Sequence, residues 1–573
     1  MANYTTAHYF LEGLLDVGVE YVFANLGTDH ASLIEAFAQL RRDGRPAPQA
    51  VLCPHENVAI HMAGGYAAMT GRGQVVLVHV DAGTANAAAG MHNLFRARLP
   101  VFLMAGRAPF TLRGELQGSR DNYVHFVQDP YDIGSLVRPY VKWEYTLASG
   151  IVTKEVLRRG HAVMQSDPPG PVYLTLPREI LAQGWEEAAI RAFPEKRYGP
   201  VRSGGTDPAT ARRLAELLLS AANPIAITGY LGRRPEAVTV LDALARECGI
   251  RVFESHPTYL CIPHDSPCFN GFEPGPAIAD ADVGLLLDVD VPWLPRFSKE
   301  NPVTRWAQVD VDAIKKDFPM WGFPAELRVQ GDCATVLGQV LEIVRAEGGA
   351  AFRSAVAGRM KKMEAQRQQR AQALVAAAAR PGERNAISPE FACAVLNKSI
   401  GPDDILLNEA IRNAGAVMNH IPRTRPQTMI GVGGAALGFS GGMALGAKLA
   451  RPRNRVVQVS GDGSFHFSTP DSVYAVAQHY KLPIFTVVLD NGGWQAVKSS
   501  VLRVHPEGAA AETDQFLARL EGQQRSFEQV AASFGAFGAS VREPAELEGA
   551  IKRCLAAVDA GQAAVLTVRV TPL

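Results

Sequence analysis

The sequence predicts an α/β protein of three doubly wound domains, each built on a parallel sheet. Short apolar runs alternate with helical patterns along the whole 573-residue chain, and two polar or charged stretches divide that alternation into three blocks. Strands that read as continuous apolar runs belong to sheets covered by helices on both faces, and strict β/α alternation gives doubly wound domains. The length is several times that of an ordinary domain, so several separate cores are expected.

The runs come in order. VVLVHV (75–80), VFLMAG (101–106) and PVYLTL (171–176) belong to the first block, and PIAIT (224–228) and VGLLLDV (283–289) to the second. DILLN (404–408), RVVQVS (455–460), IFTVVLD (484–490) and AVLTVRV (564–570) belong to the third. The breaks are a polar, proline-containing stretch at about 184–207 and a charged helical segment at about 359–385. An N-terminal domain over 1–183, a middle domain over 206–345 and a C-terminal domain over 386–573 are expected. Whether the outer two are copies of one architecture stays open at the level of sequence.

Composition narrows the partners. Lys plus Arg equals Asp plus Glu at 57 each, so neither nucleic acid nor an anionic membrane attracts the chain, and a small molecule is the expected partner. No apolar run reaches the length of a spanning helix, and the first residues lack the pattern of a signal peptide. A cytoplasmic location is expected. The seven cysteines are scattered and form no CxxC pair, which argues against a disulfide framework or a structural zinc.

One constellation carries chemistry. The run 455–460 leads into Gly461-Asp462-Gly463-Ser464, and after a helical stretch the run 484–490 leads into Asn491-Gly492-Gly493. Ligands bind at the carboxyl ends of parallel strands, which brings Asp462 and Asn491 together. Magnesium takes oxygen ligands, few of them from side chains, and completes its octahedron with phosphate and water; a carboxylate, an amide and a main-chain carbonyl suit it. Gly461, Gly463 and Ser464 would let N–H groups and a hydroxyl approach a diphosphate. No GxxxxGK[ST] occurs, so a nucleotide P-loop is not implied. Alone, GDGS reads more readily as a tight turn, and Glu56, in CPHENVAIHMAGGYAAMTGRG (53–73), reads as a charge in a helix's first turn.

Taken together, the two halves of the constellation resemble the fingerprint of thiamine diphosphate enzymes. Over essentially its whole length the chain is similar to the thiamine diphosphate-dependent 2-oxo acid decarboxylases and acetohydroxyacid synthases, and benzoylformate decarboxylases are the most similar in pattern. The segments carrying this are VLVHVDAGTANAAAG (76–90), RPYVKWEY (138–145), DPPGPVYLTLPREI (167–180), HDSPCFNG (264–271), LLNEAIRNA (406–414) and DNGGWQAVK (490–498).

The resemblance implies thiamine diphosphate and Mg2+, with Asp462, Asn491 and the carbonyl of Gly493 as metal ligands. It implies Glu56 as the acid that activates the cofactor, a task that suits a carboxyl in a dry pocket. Leu437, in GGAALGFSGG (433–442), resembles the apolar wedge that bends the cofactor into a V; the alternative reading is a core leucine. Thr28 would contact the substrate carboxylate, His79 would exchange protons with the substrate-derived fragment, and Asn408 and Glu409 would line the pyrimidine and substrate side. A histidine at a strand end is ordinarily a core residue, and the HxxAGTxN pattern beginning at His79 is what favours the functional role. The sites are implied to be shared between chains of a homodimer or homotetramer.

The sequence also departs from the pattern. Benzoylformate decarboxylases take a second active-site histidine from the middle domain, whereas DVDVPWLPRF (288–297) has none. Asp81 stands where a small neutral residue is usual and would add negative charge near His79. On the synthase side, DAGTAN replaces SGPGATN. Flavin binding has no clear signature in the middle domain, so FAD is not expected but stays open.

The expected activity is a lyase reaction, non-oxidative decarboxylation of a 2-oxo acid, with joining of the product to a second carbonyl as a further outcome. An acetolactate synthase-type carboligase is one alternative. A 2-hydroxyacyl-CoA lyase or oxalyl-CoA decarboxylase is the other, for which Arg233 and Arg234 are the available cations.

Overall fold

The structure, a computed structural model, describes residues 4–186, 189–193, 195–431, 433–520 and 525–572. Glu187, Ala188 and Pro194 of the expected first break lie outside the described residues. All nine apolar runs form strands, because each is long enough to fill a buried position between two neighbours, and the strand burial is nearly complete.

Three sheets follow one another along the chain. The first holds β1 (Tyr21–Ala24), β2 (Gln49–Leu52), β3 (Gln74–Val78), β4 (Val101–Arg107), β5 (Glu144–Thr146) and β6 (Val172–Pro177) in the order β2-β1-β3-β4-β6-β5. The second holds β7 (Ile225–Thr228), β8 (Arg251–Glu254), β9 (Val283–Leu287), β10 (Arg305–Asp310) and β11 (Leu327–Gln330) in the order β11-β10-β9-β7-β8. After a short antiparallel pair, β12 (Gly382–Glu383) with β13 (Ala386–Ile387), comes the third sheet. Its strands are β14 (Ile405–Glu409), β15 (Met429–Ile430), β16 (Val456–Gly461), β17 (Phe485–Asp490), β18 (Phe537–Val541) and β19 (Ala564–Arg569), ordered β15-β14-β16-β17-β19-β18. Every pair in these three sheets is parallel.

The first and third sheets have the same topology, strand for strand: second, first, third, fourth, sixth, fifth. Their cores merge through the helices Glu56–Thr70 and Ser440–Ala450, which pack face to face. Small residues make this contact possible. A side chain at Gly65 would collide with the main chain of Met443, and one at Gly446 with the main chain of Met62. The charged segment near 359–385 lies mostly in one long helix, Ala350–Ala378, with Met363 as its buried anchor; its composition of alanine and long polar side chains favours helix without burial. The seven cysteines are free and buried. Among the described residues no helix is long and apolar enough to cross a membrane.

Candidate active site

In the third sheet, Gly461 of β16 pairs with Leu489 of β17, so the residues that follow each strand emerge side by side at the carboxyl edge. Asp462 opens the helix Asp462–Phe467. Its carboxylate is buried and accepts from the N–H groups of Gly463 and Gly492, both at 2.9 Å. Burial raises its proton affinity above the usual carboxylate range. Asn491 Oδ1 accepts from Gly493 N at 3.2 Å, and Gly493 has a φ of 149°, which a side chain would strain. A side chain at Gly463 would meet the Trp494 indole at 2.6 Å. Asp490, the carboxylate next to Asn491, is occupied by Arg525 and Arg569. Among the described residues no group of three or more His, Cys, Asp or Glu could hold a metal. A cation here would be bound by one carboxylate with amide and carbonyl oxygens, the donor set of a hard ion that keeps phosphate and water ligands. Asp462, Asn491 and Gly493 fit that requirement.

Two further elements meet near this edge. Asn408, at the end of β14, and Leu437 line a cavity of about 330 Å³ with Ile411, Met418, Met429 and His256. Glu409 turns the other way. Its buried carboxylate accepts from the N–H groups of Gly438, Phe439 and Ser440 and so caps the Ser440–Ala450 helix. Burial lifts its pKa to about 7, opposed by those same N–H groups. His256, on the loop after β8 and with φ of 47°, is a middle-sheet histidine that sequence reasoning missed: this loop, not the 288–297 segment after β9, reaches the cavity.

In the first sheet the corresponding edge carries titratable groups. Glu56 begins the Glu56–Thr70 helix, is buried, and accepts from Asn86 Nδ2 at 3.1 Å. A side chain at Gly83 would lie 3.2 Å from its carboxylate, so the DAGTAN segment, in the first turns of the Val80–Arg96 helix, lies against Glu56. His79 follows β3 as the residue before the helix Val80–Arg96. Its Nδ1 lies 2.6 Å from Asp29 Oδ1 and its Nε2 2.7 Å from Gln128 Oε1. The hydrogen bond to Asp29, against the opposing effect of burial, raises the His79 pKa above the ordinary imidazole value. Thr28 is exposed at the mouth, with Oγ1 3.3 Å from His125 Nε2. Asp81 accepts from Ala82 N and acts on His79 only through its charge. The carboxylate on the ring is Asp29, which sequence reasoning passed over although it adjoins Thr28.

The structure thus gathers the predicted residues into two groups, Thr28, Glu56 and His79 on the first sheet and Asn408, Leu437, Asp462, Asn491 and Gly493 on the third. Among the described residues no hydrogen bond or ion pair joins Glu56 or His79 to Asp462 or Asn491 in the same chain.

Two matching six-stranded sheets thus present Thr28, Glu56 and His79 at one carboxyl edge and Asp462, Asn491 and Gly493 at the other. Residues 4–133 match the N-terminal thiamine pyrophosphate-binding domain of thiamine pyrophosphate enzymes, and residues 413–568 match the C-terminal one. The chain is 27% identical to benzoylformate decarboxylase of Pseudomonas aeruginosa, covering 94% of both chains. It is 24% identical to the acetolactate synthase isozyme 3 large subunit of Escherichia coli, covering 96% of this chain and 92% of that one. The fold matches a thiamine diphosphate-dependent 4-hydroxybenzoylformate decarboxylase of Rhodococcus jostii with a TM-score of 0.77 at 20% identity, covering 100% of this chain and 99% of that one. The chain belongs to the thiamine diphosphate-dependent 2-oxo acid decarboxylase and acetolactate synthase family.

Proposed function

We propose that the protein decarboxylates a 2-oxo acid without oxidation and releases the aldehyde, using thiamine diphosphate held through Mg2+. When bound, the cofactor accepts the electron pair that the departing carbon dioxide leaves behind. Asp462, Asn491 and the Gly493 carbonyl would hold the cation. The N–H groups around Gly461, Gly463 and Ser464 would receive the diphosphate, and Leu437 would support the bent cofactor. Glu56 would exchange a proton with the cofactor's pyrimidine ring, Thr28 would take the substrate carboxylate, and His79 would deliver the proton that completes the aldehyde.

The observation that carries this reading is the setting of His79. Both ring nitrogens face oxygen atoms, and an imidazole can satisfy two acceptors only with a proton on each nitrogen. A charged ring at the mouth of the site is a proton source, which a decarboxylase needs. Because, among the described residues, no hydrogen bond or ion pair joins Glu56 or His79 to Asp462 or Asn491 within one chain, we propose that two copies complete each site, as a dimer or tetramer. The CoA alternative gains no support from Arg233 and Arg234, which face Asp167, Asp288 and Asp332. FAD is not part of the proposal, and the absorbance of the purified protein above 400 nm, roughly where flavins absorb, checks that.

The test is product analysis with Mg2+ and thiamine diphosphate across pyruvate, benzoylformate, branched-chain 2-oxo acids and oxalyl-CoA, each with and without an aldehyde acceptor. Carbon dioxide and aldehyde from one 2-oxo acid alone is the expected outcome. Product that forms only with a second carbonyl present would favour the synthase reading instead.

A further inference from the structure

Asp29 is fully buried, follows Thr28 in the loop after β1, and directs both carboxylate oxygens in hydrogen bonds to the start of the Val80–Arg96 helix. Its Oδ1 meets His79 Nδ1 at 2.6 Å and its Oδ2 accepts from Val80 N at 3.3 Å. The fold is shaped around this pair. Gly27 and Gly106 both stand where an added side chain would strike it, Gly27 against the His79 ring and Gly106 against the Asp29 carboxylate.

The other candidate partner of Asp29 is His30, 3.3 Å away. Its Nδ1 accepts from Gly27 N at 3.0 Å and therefore has no proton to offer Asp29. Burial holds its proton affinity below the ordinary value, and its Nε2 has no partner. His30 is neutral, which leaves His79 as the ring whose charge answers the Asp29 carboxylate. The remaining titratable neighbours are Asp81 beside His79, His125 behind Thr28, Asp121 against His125, and Glu56 beyond Gly83.

We propose that Asp29 is a positioning residue for the reaction: by holding His79 at Nδ1 it makes Nε2 the atom that hands a proton to the decarboxylated fragment. The inference rests on the reading of His79 given above. The proton leaves Nε2 for the fragment's carbon, and the ring stays bound to Asp29 as the neutral Nδ1–H form. Solvent then replaces the proton at the ring's exposed edge, where the side chain is 20% accessible. One proton is consumed per aldehyde, matching the loss of carbon dioxide from a carboxylate. Gln128 Oε1 accepts from Nε2 before transfer. A neighbouring carboxylate favours the charged imidazole, so the ring holds its transferable proton further into the neutral range than an isolated histidine.

The test uses the assembled holoenzyme and the variants Asp29→Asn and His79→Ala. Diethyl pyrocarbonate reacts with neutral imidazole, so its rate at the His79 peptide, followed by mass spectrometry against pH, titrates the ring without any turnover. In Asp29→Asn the pH of half-maximal reactivity is expected to fall by about 1 to 3 pH units, and the alkaline limb of the kcat profile is expected to fall with it. Thiamine diphosphate affinity by calorimetry is expected to stay as in the parent. An unchanged reactivity curve in Asp29→Asn overturns the proposal. If that variant does not fold, the parent alone decides: half-maximal reactivity at or below about 6.5, the free histidine value, overturns it. Full turnover by His79→Ala would instead remove the proposed role of His79, while the reactivity curve would still report whether Asp29 holds the ring.

Discussion

The first and third sheets share one strand order, yet their carboxyl edges carry different groups. After its third strand the first sheet presents His79, and after its third strand the third sheet presents Asp462. The first strands differ in the same sense: Asp29, in the loop after β1, reaches across to a titratable ring, whereas Glu409, the last residue of β14, reaches across to three backbone N–H groups. One copy sets a carboxylate against an imidazole, and the other sets carboxylates against backbone N–H groups. The difference lies in a few residues past the strand ends, where side chains are free of the sheet's packing.

The sharpest way to break this division is to remove one key group from each sheet. In Asp462→Ala, thiamine diphosphate affinity measured by calorimetry is expected to drop by more than the roughly 10- to 100-fold that losing a mere supporting residue costs at a metal site. Glu56→Gln is expected to bind the cofactor as the parent does and to lose about 10²- to 10⁴-fold in kcat, the usual contribution of a positioned acid or base. If the two variants exchanged these phenotypes, the division of labour between the sheets would be wrong. Equal affinity in Asp462→Ala would remove it from the metal site.

The sequence reading reached nine interior strands and missed the edge strands, together with interior β1 (YVFA), which is four residues long, and interior β10 (RWAQVD), which polar residues interrupt. RVVQVS and IFTVVLD are buried on both faces and read as apolar runs. β2 (QAVL) has mostly solvent-accessible positions, β5 (EYT) contains no fully buried residue, and β15 is two residues long, so none carries a run to detect. Asp462 and Asn491 were legible because each follows such a run directly. Asp29, Gln128 and His256 were not, because their meaning depends on loops that meet only in space. Asp81 drew attention by standing in a familiar motif, but the carboxylate that touches His79 comes from another strand's loop.

A smaller effect tests whether the two sheets are one mechanical unit. At Gly446 an added side chain would run into the main chain of Met62, which cannot rotate away. Gly446→Val is expected to cost about 3 kcal/mol, the upper end of the usual range for overpacking, and to lower the temperature of unfolding seen by calorimetry. Gly338→Ala is the control, since nothing lies within 4 Å of the added carbon. In the Cys333–Glu347 helix that change is expected to stabilise by up to about 1 kcal/mol. Equal unfolding temperatures in the two variants would mean that the Glu56–Thr70 and Ser440–Ala450 helices do not pack as tightly as described.

The smallest expected effect concerns the rim of the same contact. Tyr480 lies just after the helix Pro470–His479, and its hydroxyl accepts from Leu52 N of β2 at 2.6 Å, tying the edge of the first sheet to the third. Leu52 is 55% exposed, so water can replace the hydroxyl when it is removed. Tyr480→Phe should therefore cost less than the roughly 1 kcal/mol of an ordinary hydrogen bond, with thiamine diphosphate affinity unchanged. Amide hydrogen exchange at Leu52 is the sensitive measurement. Faster exchange there, with protection in the Glu56–Thr70 helix unaltered, would place the cohesion of the two sheets in the buried helix pair. Loss of protection along that helix would place it at the rim instead.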